Sequence, residues 1–103
     1  MMASLTGTTI VEVLREQRAE LSRFGVESIA LFGSYAKETQ TNSSSDVDVL
    51  VEFSAPTYDN FVGLQDYLEG LFGRKVDILT PAGVESIRIP QVAEDIKRSL
   101  VHV

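Results

Sequence analysis

The sequence predicts an α/β (α+β) domain, with a small β-sheet and helices that pack mainly on one of its faces. Two observations predict this fold. Segments in which apolar residues recur at helical spacing alternate with short apolar runs of strand length. The chain has only 103 residues, which leaves room for one hydrophobic core, so we expect residues 1–103 to form a single domain.

The first half of the chain begins with a helix and continues with two strands. Leu5 to Phe24 has the spacing of an amphipathic helix, and Gly25 is suited to end it. Val26 to Phe32 is a short apolar run, which we interpret as a buried strand. Residues 39–45 are polar throughout and predict a solvated loop. Asp46 to Phe53 then alternates polar and apolar residues, the pattern of a strand with one buried face.

The second half contains two further helices around a third strand. Tyr58 to Phe72 is amphipathic, and Gly73 is placed to form its C-terminal cap. Lys75 to Leu79 predicts the third strand, Pro81 to Arg88 a turn, and Pro90 to Leu100 a closing helix. The polar loop between the first two strands allows either direction of pairing, so the pattern leaves the direction of the strands open.

The charge and the composition exclude several classes of function. Nine Lys and Arg against fifteen Asp and Glu give a net charge of −6. Such a surface repels a phosphate backbone, so we expect no long nucleic acid as a partner, whereas a phosphorylated ligand bridged by magnesium, or a basic protein, remains possible. The chain has no cysteine for a disulfide or thiolate metal site. Neither a signal peptide nor a membrane span is recognisable, so the expected location is cytoplasmic.

Two carboxylates in the second predicted strand form a candidate metal site. Asp46 and Asp48 are two residues apart, so both side chains project from one face, while the valines of the strand lie on the opposite face and meet the core. Two adjacent carboxylates repel each other, and a divalent cation between them removes the repulsion. Oxygen ligands at this spacing suit magnesium or manganese. The alternative is that these side chains merely cap backbone groups at the start of the strand.

Gly33 and Ser34 form a candidate phosphate-binding turn at the end of the first strand. A glycine lets the backbone approach a ligand closely, and the serine hydroxyl together with the N–H groups of a helical turn can hold a phosphate. An ordinary turn, in which Ser34 is only the N-cap, is the alternative.

Asp77 is the third candidate carboxylate. It lies in the middle of a short apolar strand, where a charge is costly unless another group pairs with it. Pairing with Arg74 or Lys75 is the simplest explanation and the one we favour for those two cations. If this strand instead lies beside that of Asp46 and Asp48, all three carboxylates meet, and three carboxylates with two magnesium ions are suited to in-line displacement at phosphorus.

These segments together resemble a known family. The motif from Phe32 to Lys37, the polar loop, and Ser45 to Val51 resemble the signature of the DNA polymerase β-like nucleotidyltransferase superfamily. The small size, the leading helix and the later strand from Val76 to Thr80 are similar to the minimal nucleotidyltransferases of bacteria and archaea. The resemblance covers the chain from about Ile10 onward, and the joint spacing of the three motifs is far more specific than any one of them.

The resemblance implies a polymerase β-like fold with a small mixed sheet, and a role for each candidate residue. Gly33, Ser34 and Lys37 would bind the nucleotide; Asp46 and Asp48 would ligate two magnesium ions, and Asp77 would complete one of these sites and help activate the nucleophile. In this family the small proteins are commonly antitoxins that form a complex with a HEPN-domain toxin. They transfer AMP from ATP to a tyrosine of that toxin and release pyrophosphate.

Two departures from the family pattern keep other functions open. Eleven residues, 35–45, separate Ser34 from Asp46 where the family usually has ten, and Glu38 stands where glycine is common. A carboxylate near the triphosphate weakens nucleotide binding by repulsion. A binding module that neutralises the toxin by docking, without chemistry, is therefore the main alternative. Transfer of a nucleotide to a small molecule is a weaker one, because such enzymes generally carry an additional acceptor domain.

Overall fold

The structure is a computed structural model that describes residues 5–37, 46–86 and 88–103. The predicted loop at 39–45 and the predicted position of Glu38 lie outside these ranges. So do the side chains of Ser34, Lys37, Pro90, Val92 and Asp95. In chain order the elements are α1 (Gly7–Glu16), α2 (Arg18–Arg23), β1 (Val26–Phe32), α3 (Gly33–Lys37), β2 (Val47–Phe53), α4 (Tyr58–Phe72), β3 (Val76–Leu79), α5 (Pro81–Glu85), α6 (Pro90–Ser99) and β4 (Val101–His102).

The strands form one mixed sheet in the order β3-β2-β1-β4. β1 is antiparallel to both β2 and β4, whereas β2 and β3 are parallel. Parallel neighbours need a crossover connection, and α4 provides it. The predicted fold class, a small mixed sheet with helices, is confirmed. The pairing directions, which the sequence pattern left open, are a finding of the structure.

The main core lies on the valine face of β2. The alternation predicted for this strand is observed, because Val47, Val49 and Val51 are fully buried, while Asp48 and Leu50 between them are only partly buried. α1, α2 and α4 pack against the valine face, whereas α5 and α6 lie near Leu50 on the other face. The helical residues of the core are Ile10, Val11, Leu14, Leu21, Leu64 and Leu68, and Tyr35 of α3 joins them.

The predicted leading helix is two helices rather than one. The chain leaves helical geometry at Gln17, where φ is −95° and ψ is 19°. The Gln17 side chain accepts a hydrogen bond of 2.9 Å from the Tyr67 hydroxyl of α4. This partner is fifty residues away, so a pattern of local spacing contains no sign of the break.

Two shorter elements also differ from the prediction. Residues Pro81–Glu85 form a helix rather than a turn; Thr80 caps it by accepting from the Gly83 N–H at 3.2 Å, and the proline occupies the first turn. After α6, Val101–His102 form β4, which pairs with Ala30 and Leu31 of β1. A two-residue strand is stabilised by its neighbour and has no periodicity of its own.

The other predicted ends agree closely. α4 has the predicted bounds, and Gly73 forms its C-cap with a left-handed φ of 64°. None of the helices within the described ranges has the length and apolar character that crossing a membrane requires.

Candidate active site

Three chain segments meet at one end of the sheet. The C-terminal end of β1, at Phe32, lies opposite Asp48 near the start of β2, because these strands are antiparallel. Asp77, near the start of β3, is also the register partner of Asp48, because β2 and β3 are parallel. The strand adjacency that the role of Asp77 requires is therefore present. Asp46 directly precedes β2.

Asp48 interacts with the charges of the other two carboxylates. Partial burial of its side chain is the largest cause that raises its pKa, to about 6 from an ordinary 3.8. The charges of Asp77 and Asp46 raise it further, and so does a side-chain hydrogen bond with Asp77, which favours the protonated form. Asp48 is therefore close enough to both other carboxylates to interact with their charges, and no ion pair among the described residues involves any of the three.

The pairing that we favoured for Arg74 and Lys75 is wrong. Among the described residues neither Arg74 nor Lys75 forms an ion pair with Asp77. The ion pair found in the described part of the chain is on α2 and joins Arg23 to Glu20 at 3.5 Å. Lys75 lies just outside β3, and its backbone carbonyl accepts from the Val47 N–H at 2.9 Å. Asp77 is exposed, so its carboxylate is accessible to solvent.

Gly33 brings the end of β1 directly against Asp48. Its φ is +76°, a left-handed value that strains any residue with a side chain. A Cβ at this position would overlap the Asp48 carboxylate and lie 3.1 Å from its Cγ. The sequence predicts a close approach by Gly33 to a ligand. In the structure, the group that leaves no room for a side chain at residue 33 is the carboxylate of Asp48, the candidate metal ligand.

Tyr35 fixes the turn that follows Gly33, a role that sequence reasoning missed. Its side chain is only 1% exposed and packs in the main core. The Tyr35 carbonyl lies so close to Gly7 of α1 that a Cβ there would overlap it. α3 is thus held against α1, and the backbone of residues 33–37 has a defined position beside Asp48. The predicted contacts of the Ser34 and Lys37 side chains lie outside the described residues and stay predictions.

The donor set fits a magnesium ion that is shared with a substrate. Carboxylate oxygens are the ligands this ion prefers, and it commonly binds through one or two of them plus substrate phosphates. Among the described residues no three acidic or histidine side chains converge closely enough to hold a metal by themselves. The Asp48–Asp77 pair, with Asp46 near it, therefore suits an ion that a nucleotide brings with its own phosphate oxygens.

Comparison with known proteins identifies the family of this chain. The family model for a nucleotidyltransferase domain matches residues 12–103. The chain belongs to the nucleotidyltransferase domain family. The match spans all three carboxylates and the Gly33 turn.

Two relatives of this nucleotidyltransferase match it over nearly the whole length of both chains. The protein adenylyltransferase MntA of Thermococcus cleftensis is 38% identical, over 99% of this chain and all of that protein. A protein of Methanocaldococcus jannaschii, provisionally named a protein adenylyltransferase, is 40% identical over 95% of this chain and 98% of its own length.

Solved structures share the fold. One, provisionally described as a minimal nucleotidyltransferase, has a TM-score of 0.73 and 25% identity, and the match covers 99% of this chain and all of that one. Another is a chain of a toxin–antitoxin crystallised with AMP-PNP, with a TM-score of 0.60 and 21% identity over 95% of this chain and 72% of that chain. The second likeness shows a common fold alone.

Proposed function

We propose that this nucleotidyltransferase is a magnesium-dependent protein adenylyltransferase and the antitoxin of a toxin–antitoxin pair. It transfers AMP from ATP to a tyrosine of a HEPN-domain toxin, in a cytoplasmic complex with that toxin, and releases pyrophosphate. The observation that carries the proposal is the register of Asp48 with Asp77, with Asp46 near the pair and Gly33 against it. The relatives that are named protein adenylyltransferases support the protein acceptor.

The acidic side chains have separate tasks in this reaction. Asp46 and Asp48 would hold the magnesium ions, and Asp77 would complete the donor set on the exposed side. When bound, magnesium neutralises the triphosphate and the charge that develops on the leaving pyrophosphate. Gly33, Ser34 and Lys37 hold the nucleotide beside these carboxylates.

The tyrosine oxygen that accepts AMP enters the site from its solvent-exposed side. Asp77 is more exposed than Asp48, so it is the carboxylate that an acceptor tyrosine can reach from solvent. Its oxygen accepts the phenolic proton as the tyrosine oxygen bonds to the α-phosphorus. The bond between the α- and β-phosphates breaks, and the leaving group is pyrophosphate.

The toxin partner is proposed on three grounds. Solved toxin–antitoxin complexes have chains of this fold, among them MntA–HpeT complexes. The sequence resemblance to minimal nucleotidyltransferases implies a HEPN-domain toxin as the partner. The acidic net charge of −6 is also suited to a basic protein partner.

The test is transfer of label from ATP to the purified partner. With ATP labelled at the α-phosphate, and magnesium, the wild-type chain should label a tyrosine of the toxin and release one pyrophosphate for each label. Asp46→Asn together with Asp48→Asn should abolish both signals. Asp66→Asn, an exposed carboxylate on α4, is the matched control and should label normally.

The same variants distinguish catalysis from docking. If the double variant still neutralises the toxin fully in cells, docking alone is sufficient and the enzymatic proposal loses its biological role. Label that appears on a small molecule but never on the toxin would overturn the protein acceptor.

A further inference from the structure

The three tyrosines of this chain differ sharply in their accessibility. Tyr35 is buried in the core at 1% exposure. Tyr67 is partly buried; its hydroxyl donates to Gln17 at 2.9 Å, and its ring packs on Phe24 with centroids 5.5 Å apart. Tyr58, in contrast, is 80% exposed. If the chain adenylylates tyrosines of proteins, only Tyr58 among its own tyrosines presents a free hydroxyl to an active site.

Hydrogen bonds hold the backbone on both sides of Tyr58. Tyr58 is the first residue of α4, directly after the N-cap residue Thr57, whose hydroxyl accepts from the Asn60 N–H at 3.1 Å. The Asn60 side chain donates to the Ala55 carbonyl at 2.9 Å, which closes the preceding turn. The ring therefore projects from a fixed position, so placing its hydroxyl in a site costs little backbone entropy.

Tyr58 lies at the opposite end of the sheet from the carboxylates. Asp48 is near the start of β2, whereas α4 begins beyond its end, and Phe61 of α4 packs on Phe53 with ring centroids 6.2 Å apart. The five residue steps from Asp48 to Phe53 span about 17 Å of extended strand. A tyrosine side chain cannot cover this distance, so a chain cannot modify its own Tyr58.

We propose that Tyr58 is an acceptor of AMP, modified in trans by the site of a second copy of this chain. This inference rests on the proposed protein adenylyltransferase function. The Tyr58 oxygen of one copy bonds to the α-phosphorus of ATP held by the other, and the bond to the β-phosphate breaks. The phenolic proton passes to a carboxylate of the second copy's site, and pyrophosphate leaves. The products are one adenylylated chain and one pyrophosphate.

The first experiment uses the purified chain alone with magnesium and ATP labelled at the α-phosphate. We expect label on the chain, located at Tyr58 by mass spectrometry of its peptides. Tyr58→Phe should lose the label, while Tyr67→Phe, which changes a tyrosine with a bonded hydroxyl, should keep it. Because two copies must meet, the fraction labelled per minute should rise with protein concentration and fall about tenfold on tenfold dilution.

A mixing experiment tests the direction of transfer. The Asp46→Asn, Asp48→Asn double variant still has Tyr58 but lacks the proposed catalytic carboxylates. The Tyr58→Phe variant keeps these carboxylates but lacks the acceptor hydroxyl. Neither variant alone should become labelled, and a mixture should carry label on the double variant only. A labelling rate per molecule that is independent of concentration would contradict transfer in trans.

The toxin separates failure of this inference from failure of the proposed function. If the wild-type chain labels the toxin while its own Tyr58 stays unmodified, this inference is overturned and the proposed function stands. Label on another residue of the chain overturns it equally. If neither protein is labelled, both proposals fail.

Discussion

A partly buried carboxylate beside two others destabilises the folded chain as long as no cation joins it. Asp48 is in this position, and its raised pKa of about 6 is the measure of the cost. The sequence shows why Asp46 and Asp48 share a face but not that Asp77 stands beside them. At the scale of single residues, the Asp48 carboxylate that the proposed function needs therefore lowers the stability of the metal-free chain.

We expect Asp48→Asn to stabilise the metal-free protein above pH 6. The pKa of Asp48 is higher in the folded chain, about 6, than its ordinary 3.8, so ionisation favours unfolding. This cost is absent below pH 3.8, grows as the pH rises from 3.8 to 6, and is complete above 6. After allowance for solvent screening of this partly exposed group, the gain at pH 8 is about 1 kcal/mol. Thermal melts in EDTA at pH 8 and pH 4 measure it.

The gain from Asp48→Asn should shrink at pH 4, where Asp48 of the wild type is mostly protonated. Asp66→Asn, which removes an exposed carboxylate of α4, should show no such pH-dependent gain. Equal stability of Asp48→Asn and the wild type at pH 8 would contradict the electrostatic cost.

Gly33→Ala should damage the site more than a left-handed φ alone explains. At Gly33 a Cβ would overlap the Asp48 carboxylate, whereas at Gly73, with a similar φ of 64°, it would meet no atom within 4 Å. Gly73→Ala should therefore cost about 1 kcal/mol of stability. Gly33→Ala should cost more and also abolish transfer of AMP. Urea denaturation and the labelling assay give both values.

Gly70→Ala is the reference for these two variants. Gly70 is in the last turn of α4, and a Cβ there would meet nothing within 4 Å. Alanine is the better helix former, so this change should stabilise the chain by about 0.5–1 kcal/mol. Equal effects of the changes at Gly33 and Gly73 would mean that contact with Asp48 does not constrain Gly33.

At the scale of elements, α4 covers the free edge of the strand that carries Asp77. β3 is an edge strand, and such an edge exposes unpaired backbone groups. The Val76 N–H donates to the Glu69 carboxylate at 3.0 Å, and the Gln65 side chain donates to the Val76 carbonyl at 3.0 Å. Two side chains one helical turn apart thus replace a missing strand and hold β3 in place.

Glu69→Ala should loosen this edge. The change leaves the Val76 N–H without its partner, and such a loss costs about 1–2 kcal/mol. We expect lower stability in urea and faster hydrogen exchange at the Val76 amide. Glu69→Gln keeps an acceptor oxygen and should have a smaller effect, and Asp66→Ala, exposed on the same helix, should have almost none. Unchanged exchange in Glu69→Ala would show that this hydrogen bond does not stabilise the edge.

At the scale of the whole molecule, the site is built from strands that only the folded sheet brings together. A nucleotide that binds at this site should therefore raise the free energy of unfolding of the whole domain. Magnesium with a non-hydrolysable ATP analogue at 100 times its Kd should add about 2.7 kcal/mol to the free energy of unfolding. Magnesium alone should add much less, because in the described chain no three acidic side chains form a complete metal site.

EDTA should reverse this stabilisation. Asp46→Asn with Asp48→Asn should show no stabilisation by the same mixture, although its metal-free melting temperature should be at least that of the wild type. Stabilisation of the double variant equal to that of the wild type would place the nucleotide elsewhere on the molecule. Differential scanning fluorimetry with and without EDTA is sufficient for the measurement.

Local patterns determined much of the fold and half of the candidate site. The bounds of α4, the run of β1 and the alternation of β2 follow from the spacing of apolar residues, because a strand or an amphipathic helix repeats its buried positions within a few residues. The same alternation determined that Asp46 and Asp48 project away from the valine core. The combined motifs were also sufficient to predict the family.

Only the tertiary structure decided which distant residues meet. The parallel pairing of β2 with β3 places Asp77 beside Asp48 and leaves it without Arg74 or Lys75. The same sheet sets Gly33 against Asp48, and Tyr67 meets Gln17 where the leading helix breaks. Each of these contacts joins residues well separated in sequence, and its energy depends on packing around both partners. A periodic pattern records which face of an element is buried, but the partner of that face is set by the folded sheet.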